Sequence, residues 1–219
     1  MPTRNKRTLH SPGLIVGVTG GIGSGKSTLC RILKKRGRTV FSADQIGIAL
    51  ANEDPSVRSR ITRAFGREAY GENGELDRPF LAAKVFRSPV MLARLNKIIH
   101  PAVLRTIQRS VSLLPKKQKL PYVVIESALI YEAGLQSSFD YIVLVDAPVA
   151  LRVVRSTSSS RFSKAEVRRR SKNQIPARIK RPLADFVVVN RGSLRSLERN
   201  ARFLDETLSR MALSSSKRP

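Results

Sequence analysis

Tryptophan is absent from this chain of 219 residues, cysteine occurs once, and acidic side chains are few: 16 Asp and Glu stand against 41 Lys and Arg, a formal net charge of +25. The lone Cys30 excludes an intramolecular disulfide, which suits a reducing, cytoplasmic setting. No apolar run approaches the roughly 20 residues of a membrane-spanning helix. Arg4, Lys6 and Arg7 near the start are not followed by an apolar segment, which argues against a secretory signal. Aromatic residues make up 5% of the chain and offer little surface for stacking on bases, so no obligate nucleic-acid partner is expected. What is present in excess is positive charge, and its distribution is uneven. Eleven Lys or Arg and a single acid, Glu166, lie between Arg152 and Arg181. A short cationic segment fits a lid that closes on phosphates better than it fits a long nucleic-acid stripe.

Residues 20–27 read G-G-I-G-S-G-K-S, the G-x-x-x-x-G-K-[ST] pattern of phosphate-binding loops. An apolar run at 14–18 precedes it and apolar residues at helical spacing follow it, so the motif sits between a strand and a helix, as it must. Gly20, Gly21, Gly23 and Gly25 can take positive φ and carry no Cβ, which lets the loop turn its amides inward around an anion. The helix that follows points its positive dipole end at the same anion. Gly21, Ile22, Gly23, Ser24, Gly25, Lys26, Ser27 and Thr28 are therefore the expected ATP-binding residues. Lys26 reaches the β- and γ-phosphates, and the Ser27 hydroxyl ligates Mg²⁺.

Strands are expected at 14–19, 39–42, 121–126, 141–145 and 186–189, all apolar without alternation, as in a parallel sheet covered on both faces. The fold class is α/β: a doubly wound five-stranded parallel sheet of the P-loop NTPase type, with a helical insertion and a lid. A single domain is expected over 13–213, with core segments at 14–44, 121–150 and 184–213. The insertion covers 45–114 and the lid 151–181, while 1–12 and 214–219 are expected to be disordered tails. Three helices of the insertion announce their starts by an Asp or Ser followed closely by proline, at Asp54-Pro55, Asp77-Arg78-Pro79 and Ser88-Pro89. His100-Pro101 interrupts the apolar pattern of the last of these, and Pro101 is read as a further helix start. The sequence is compatible with a monomer or a small homo-oligomer.

Two acids end strands beside the loop. Asp44, at the end of the second strand, is the candidate for orienting an attacking hydroxyl, against the plainer reading of a helix cap. Glu126 ends the third strand, where an acid either helps hold the magnesium shell or serves as a cap or ion-pair partner. Arg78, in the first turn of a helix whose dipole it opposes, points to an anionic partner, either a substrate phosphate or a surface carboxylate.

The ordered set of motifs resembles the dephospho-coenzyme A kinase family over about residues 14–197. It comprises the loop from Thr19 to Thr28, Ser42-Ala43-Asp44, Leu76-Asp77-Arg78, His100-Pro101, Ala128-Leu129-Ile130-Tyr131-Glu132, Gln174, Ala184-Asp185 and Asn190-x-Gly192. The resemblance implies phosphorylation of the ribose 3′-hydroxyl of dephospho-CoA by ATP. It implies catalytic roles for Lys26, Asp44 and Arg152, a nucleotide contact for Asn190, and acceptor contacts for Asp44, Arg78, His100 and Glu132. Two departures stand out: Ser42 replaces the first Asp of the family's D-A-D, and Ala128 replaces a Pro. The second lid arginine is Arg155, Arg161 or neither. The alternatives are another nucleoside or nucleotide kinase with the same loop, or a nucleic-acid-binding ATPase.

Overall fold

The structure is a computed structural model that describes residues 13–114, 120–158, 163–172 and 174–215. The tail at 1–12, the basic loop residues 115–119, the serine pair Ser159-Ser160, Arg161 and residues 216–219 lie outside the described residues. The chain forms two compact units, one of Met1–Ser42 with Val111–Pro219 and one of Ala43–Ser110.

The first unit is built on five parallel strands: β1 (Leu14–Thr19), β2 (Thr39–Ser42), β3 (Tyr122–Glu126), β4 (Tyr141–Asp146) and β5 (Phe186–Val189), in the order β2-β3-β1-β4-β5. The five expected strands are all found. All six residues of the central β1 are buried, which explains why its sequence does not alternate. Helices α1 (Lys26–Lys35) and α9 (Leu194–Ser215) contribute to the main core. Leu29, Cys30 and Leu33 supply the apolar stripe of α1. Gly37, at φ 82°, reverses the chain after α1, and its N–H donates to the Lys34 carbonyl at 3.0 Å. The last helix runs past residue 213, the expected end of the domain, and its stripe of Leu197, Ala201, Leu204 and Leu208 continues into the partly buried Met211 and Ala212. Ser214, expected in a tail, is its penultimate residue.

One buried carboxylate ties three elements of this unit together. Asp205 of α9, only 2% exposed, accepts hydrogen bonds from Arg36 Nε at 2.7 Å, Arg38 Nε at 2.6 Å and the Tyr122 hydroxyl at 2.6 Å. Cys30 is buried beside Leu29 and Leu33 in the same core, and desolvation, with a smaller contribution from the Glu126 charge, pushes its thiol far up. We expect Cys30 to resist iodoacetamide in the native protein at mildly alkaline pH and to react fully in urea; rapid native labelling would contradict its burial.

The second unit contains α2 (Ala43–Glu53), α3 (Pro55–Phe65), α4 (Arg78–Arg87) and most of α5 (Pro89–Ser112). The three expected helix starts hold. Asp54 Oδ1 accepts from the Val57 N–H at 2.9 Å, Asp77 Oδ1 from Phe80 at 2.8 Å, and Ser88 Oγ from Met91 at 3.3 Å. Ala51, Val57, Ile61, Phe65, Leu81 and Ile98 belong to its core.

Two expectations change here. The helix read as broken at His100-Pro101 is a single α5 with Pro101 inside it. An interior proline leaves the carbonyl four residues back without its helical donor, a defect worth about 3 kcal/mol. That carbonyl belongs to Lys97, and Arg60 Nη2 donates to it at 3.3 Å. The second change concerns Asp44. Strand β2 stops at Ser42 and α2 begins at once with Ala43, so Asp44 occupies the first turn of a helix rather than a strand end. A carboxylate there is favoured by the helix dipole.

Candidate active site

The site in the first unit starts where β1 delivers the chain into residues 20–25 and α1 receives it. Gly23 and Gly25 lie at φ 73° and 99°, conformations that side-chain-bearing residues rarely adopt. A Cβ on Gly23 would strike the Arg152 backbone carbonyl, and one on Gly25 would strike Asn190 Nδ2. Gly21, unlike these two, is not at positive φ. The Arg152 guanidinium fills the space a Cβ there would take, so a side chain at this position would have to displace it. The Ser24 N–H donates to the Gly21 carbonyl at 3.1 Å, closing a turn inside the loop. Lys26 Nζ donates to the carbonyls of Gly20 at 3.0 Å and Gly21 at 3.2 Å, so its ammonium sits on the loop itself.

Ser27 and Glu126 are 99 residues apart in the chain, and the Ser27 hydroxyl donates to Glu126 Oε1 at 2.7 Å. The parallel register explains the meeting. Glu126 pairs with Val18, one residue before the end of β1, so both strands release their chains at the same edge. Ser42 pairs with Glu126 from the other side, at the last residue of β2. Thr28 follows within the first turn of α1.

Helix α6 (Val149–Ser158) carries two arginines with different duties. Arg152 lies against Gly21, and its buried Nε has no hydrogen-bond partner among the described residues. Arg155 is bonded elsewhere: Nη1 donates to the Asn190 carbonyl at 3.1 Å and Nη2 to that of Gly192 at 3.3 Å. It braces the turn after β5. Asn190, 6% exposed, stands behind the loop, where its Nδ2 donates to the Ser24 carbonyl at 2.8 Å.

The resemblance implies an acceptor contact for Glu132, and a structural role is the other reading of the sequence. Its Oε1 accepts from the Ile175 N–H at 2.8 Å and pairs with Lys180 Nζ at 2.7 Å. Lys180 is 1% exposed, and a cation so deeply buried requires that carboxylate. The sequence offered no sign of Lys180, one cation among many in a basic stretch. It also offered none of the bond from the Ile22 N–H to Gln174 Oε1, at 3.1 Å.

Asp44, Arg78 and His100 belong to the helical unit. Asp44 is exposed, Arg78 is exposed as the first residue of α4, and His100 is half-buried in α5. Desolvation lowers the pKa of His100, which favours a neutral imidazole at pH 7. Among the described residues no helix is long and apolar enough to cross a membrane. Nor is there among them a cluster of three or more His, Cys, Asp or Glu suited to a metal ion.

A glycine-rich loop between a buried parallel strand and a helix, with a lysine on its crest and a hydroxyl paired to the neighbouring strand's acid, defines a P-loop nucleotide-binding protein. The model of the CoaE family, dephospho-CoA kinase, matches residues 14–196. A dephospho-CoA kinase of Corynebacterium diphtheriae is 37% identical over 190 residues, 87% of this chain and 94% of that one. One of Salinibacter ruber is 39% identical over 186 residues, 85% and 93% of the two chains. The crystal structure of TT1252 from Thermus thermophilus superposes with a TM-score of 0.75 at 35% identity, covering 90% of this chain and 98% of that one. The chain belongs to the dephospho-CoA kinase family.

Proposed function

We propose that this protein transfers the γ-phosphoryl group of ATP to the ribose 3′-hydroxyl of dephospho-CoA, yielding coenzyme A and ADP. The observation that carries the reading is a complete phosphate cradle, with Lys26 on its crest and Arg152 against Gly21, in a chain matched to this family from residue 14 to 196.

The residues present suit Mg²⁺. Ser27 and Glu126 bring hard oxygen ligands together at 2.7 Å. A cation that keeps most of its waters and binds chiefly to nucleotide oxygens needs only one or two protein ligands. When bound, Mg²⁺ neutralises charge on the β- and γ-phosphates. The protein's own part is positioning and charge stabilisation. The loop amides and Lys26 hold the triphosphate in line for attack. Arg152, whose Nε has no partner among the described residues, is the cation for charge developing on the transferred group. Asn190 supports the loop from behind.

Asp44 is assigned to orient the acceptor hydroxyl. It lies two residues beyond Ser42, the strand residue paired with Glu126, and Ser42 leaves it the only carboxylate of its tripeptide. The helical unit with Arg78 and His100 is assigned to the acceptor. A neutral His100 suits a hydrogen-bonding contact rather than an ion pair. The lone, buried cysteine and the need for ATP favour the cytoplasm.

The test is ADP release with ATP, Mg²⁺ and dephospho-CoA, set against nucleosides, nucleoside monophosphates and DNA. Rapid turnover with dephospho-CoA alone, with the phosphate on the 3′-oxygen, is expected. Stimulation by DNA, or faster turnover of a nucleoside, would overturn the reading. Asp44→Asn should lower kcat by about a hundredfold with ATP affinity intact; an unchanged kcat would remove Asp44 from its role.

A further inference from the structure

The Ile22 N–H belongs to the run of amides that makes the loop, yet it is bonded to protein. Its acceptor, Gln174 Oε1, comes from a segment 152 residues away. We propose that Gln174 is a positioning residue for phosphoryl transfer: it fixes the Ile22 peptide plane, and with it the direction of the neighbouring loop amides, and is itself held by a buried clamp of Glu132 and Lys180.

The restraint on Gln174 comes from the residues directly after it. Pro176 confines Ile175 to extended backbone. The Ile175 N–H is bonded to Glu132 Oε1 at 2.8 Å, and the same oxygen pairs with Lys180 Nζ at 2.7 Å. Lys180 closes the four-residue helix α8 (Ala177–Lys180), and its own N–H donates to the Pro176 carbonyl at 3.2 Å. The peptide that follows Gln174 is thus fastened on both sides of Pro176, which leaves the Gln174 side chain a narrow range of directions. Arg152 presses on the adjacent Gly21, so two consecutive residues of the loop are set from outside it. An amide carbonyl suits this duty because it accepts a hydrogen bond without placing negative charge beside a triphosphate.

The proposal rests on ATP occupying this loop, and the test separates the two ideas. In the full ¹⁵N-labelled chain, hydrogen exchange at the Ile22 amide is measured in wild type, Gln174→Met, Gln174→Glu and Glu132→Gln, alongside the Kd for MgATP and the Tm. Methionine keeps length and flexibility but removes the acceptor. It should speed Ile22 exchange and weaken MgATP about fivefold, with Tm nearly unchanged. Glutamate keeps an acceptor oxygen and adds charge, so Ile22 stays protected while MgATP affinity still falls. Glu132→Gln should lower Tm and also release Ile22. Ile22 exchange and MgATP affinity unchanged in Gln174→Met would overturn the proposal. Equal loss of Ile22 protection in the methionine and glutamate variants would also do so. Failure of the wild type to bind MgATP would sink the functional reading instead, whatever the exchange at Ile22.

Discussion

Replacing Lys26 with alanine is expected to lower kcat/KM on the order of a thousandfold, about 4 kcal/mol of transition-state stabilisation. Two losses combine. Under the proposed function the ammonium is the loop's own cation for the β- and γ-phosphates. It also bonds the carbonyls of Gly20 and Gly21 at 3.0 and 3.2 Å, bracing the crest on which Arg152 rests. Lys26 is half-buried and outside the main core, so Tm should barely move. Lys26→Arg should recover little, because a planar fork cannot reproduce two bonds from a single tetrahedral nitrogen. Steady-state kinetics with MgATP and dephospho-CoA decide the matter. A loss smaller than about tenfold in the alanine variant would mean that the lysine is not the principal phosphate cation.

The largest effect on stability is expected at Asp205→Ala. Removing the carboxylate strands the hydroxyl of Tyr122, which is fully buried, and takes the partner from Arg36 and Arg38. Loss of one member of a buried charged network costs about 3–5 kcal/mol. The two arginines are 33% and 20% exposed and regain water, which favours the lower end. At about 3 kcal/mol the Tm falls by about 6–12 °C for a domain of this size. The pH dependence provides an independent check. Burial raises the pKa of Asp205, but hydrogen bonds from Arg38, Tyr122 and Arg36 outweigh it, so the folded carboxyl titrates below its ordinary 3.8. Its stabilisation is complete above that ordinary value and is lost as pH falls through the depressed one. The Tm gap between wild type and Asp205→Asn should therefore be constant from neutral pH to about pH 5 and narrow in stronger acid. A gap that widens on acidification would show that the charge is not what holds the network.

The phosphate cradle could be read before any coordinates because it is local: a strand, a glycine-rich loop and a helix are contiguous, and their residue types follow from steric room and dipole direction. The helix starts at Asp54, Asp77 and Ser88 were legible for the same reason, each cap acting on an amide three residues ahead. The unalternating apolar runs announced a buried parallel sheet. Pairing between distant charges was not legible. Nothing near Asp205 in the chain points to Arg36 and Arg38, and nothing in the basic stretch around Lys180 marks it as the partner of Glu132. Pro101 shows the same limit, since Arg60, which donates to the Lys97 carbonyl that the proline leaves without its helical donor, lies 37 residues away in the chain. Local periodicity and capping chemistry thus marked the five strands, three helix starts and the nucleotide loop, and the ordered motifs carried the family resemblance. Tertiary structure alone decided that Ser27 meets Glu126, that Gln174 takes the Ile22 amide and that Glu132 is committed to Lys180, because a buried polar group must find a partner wherever the fold supplies one.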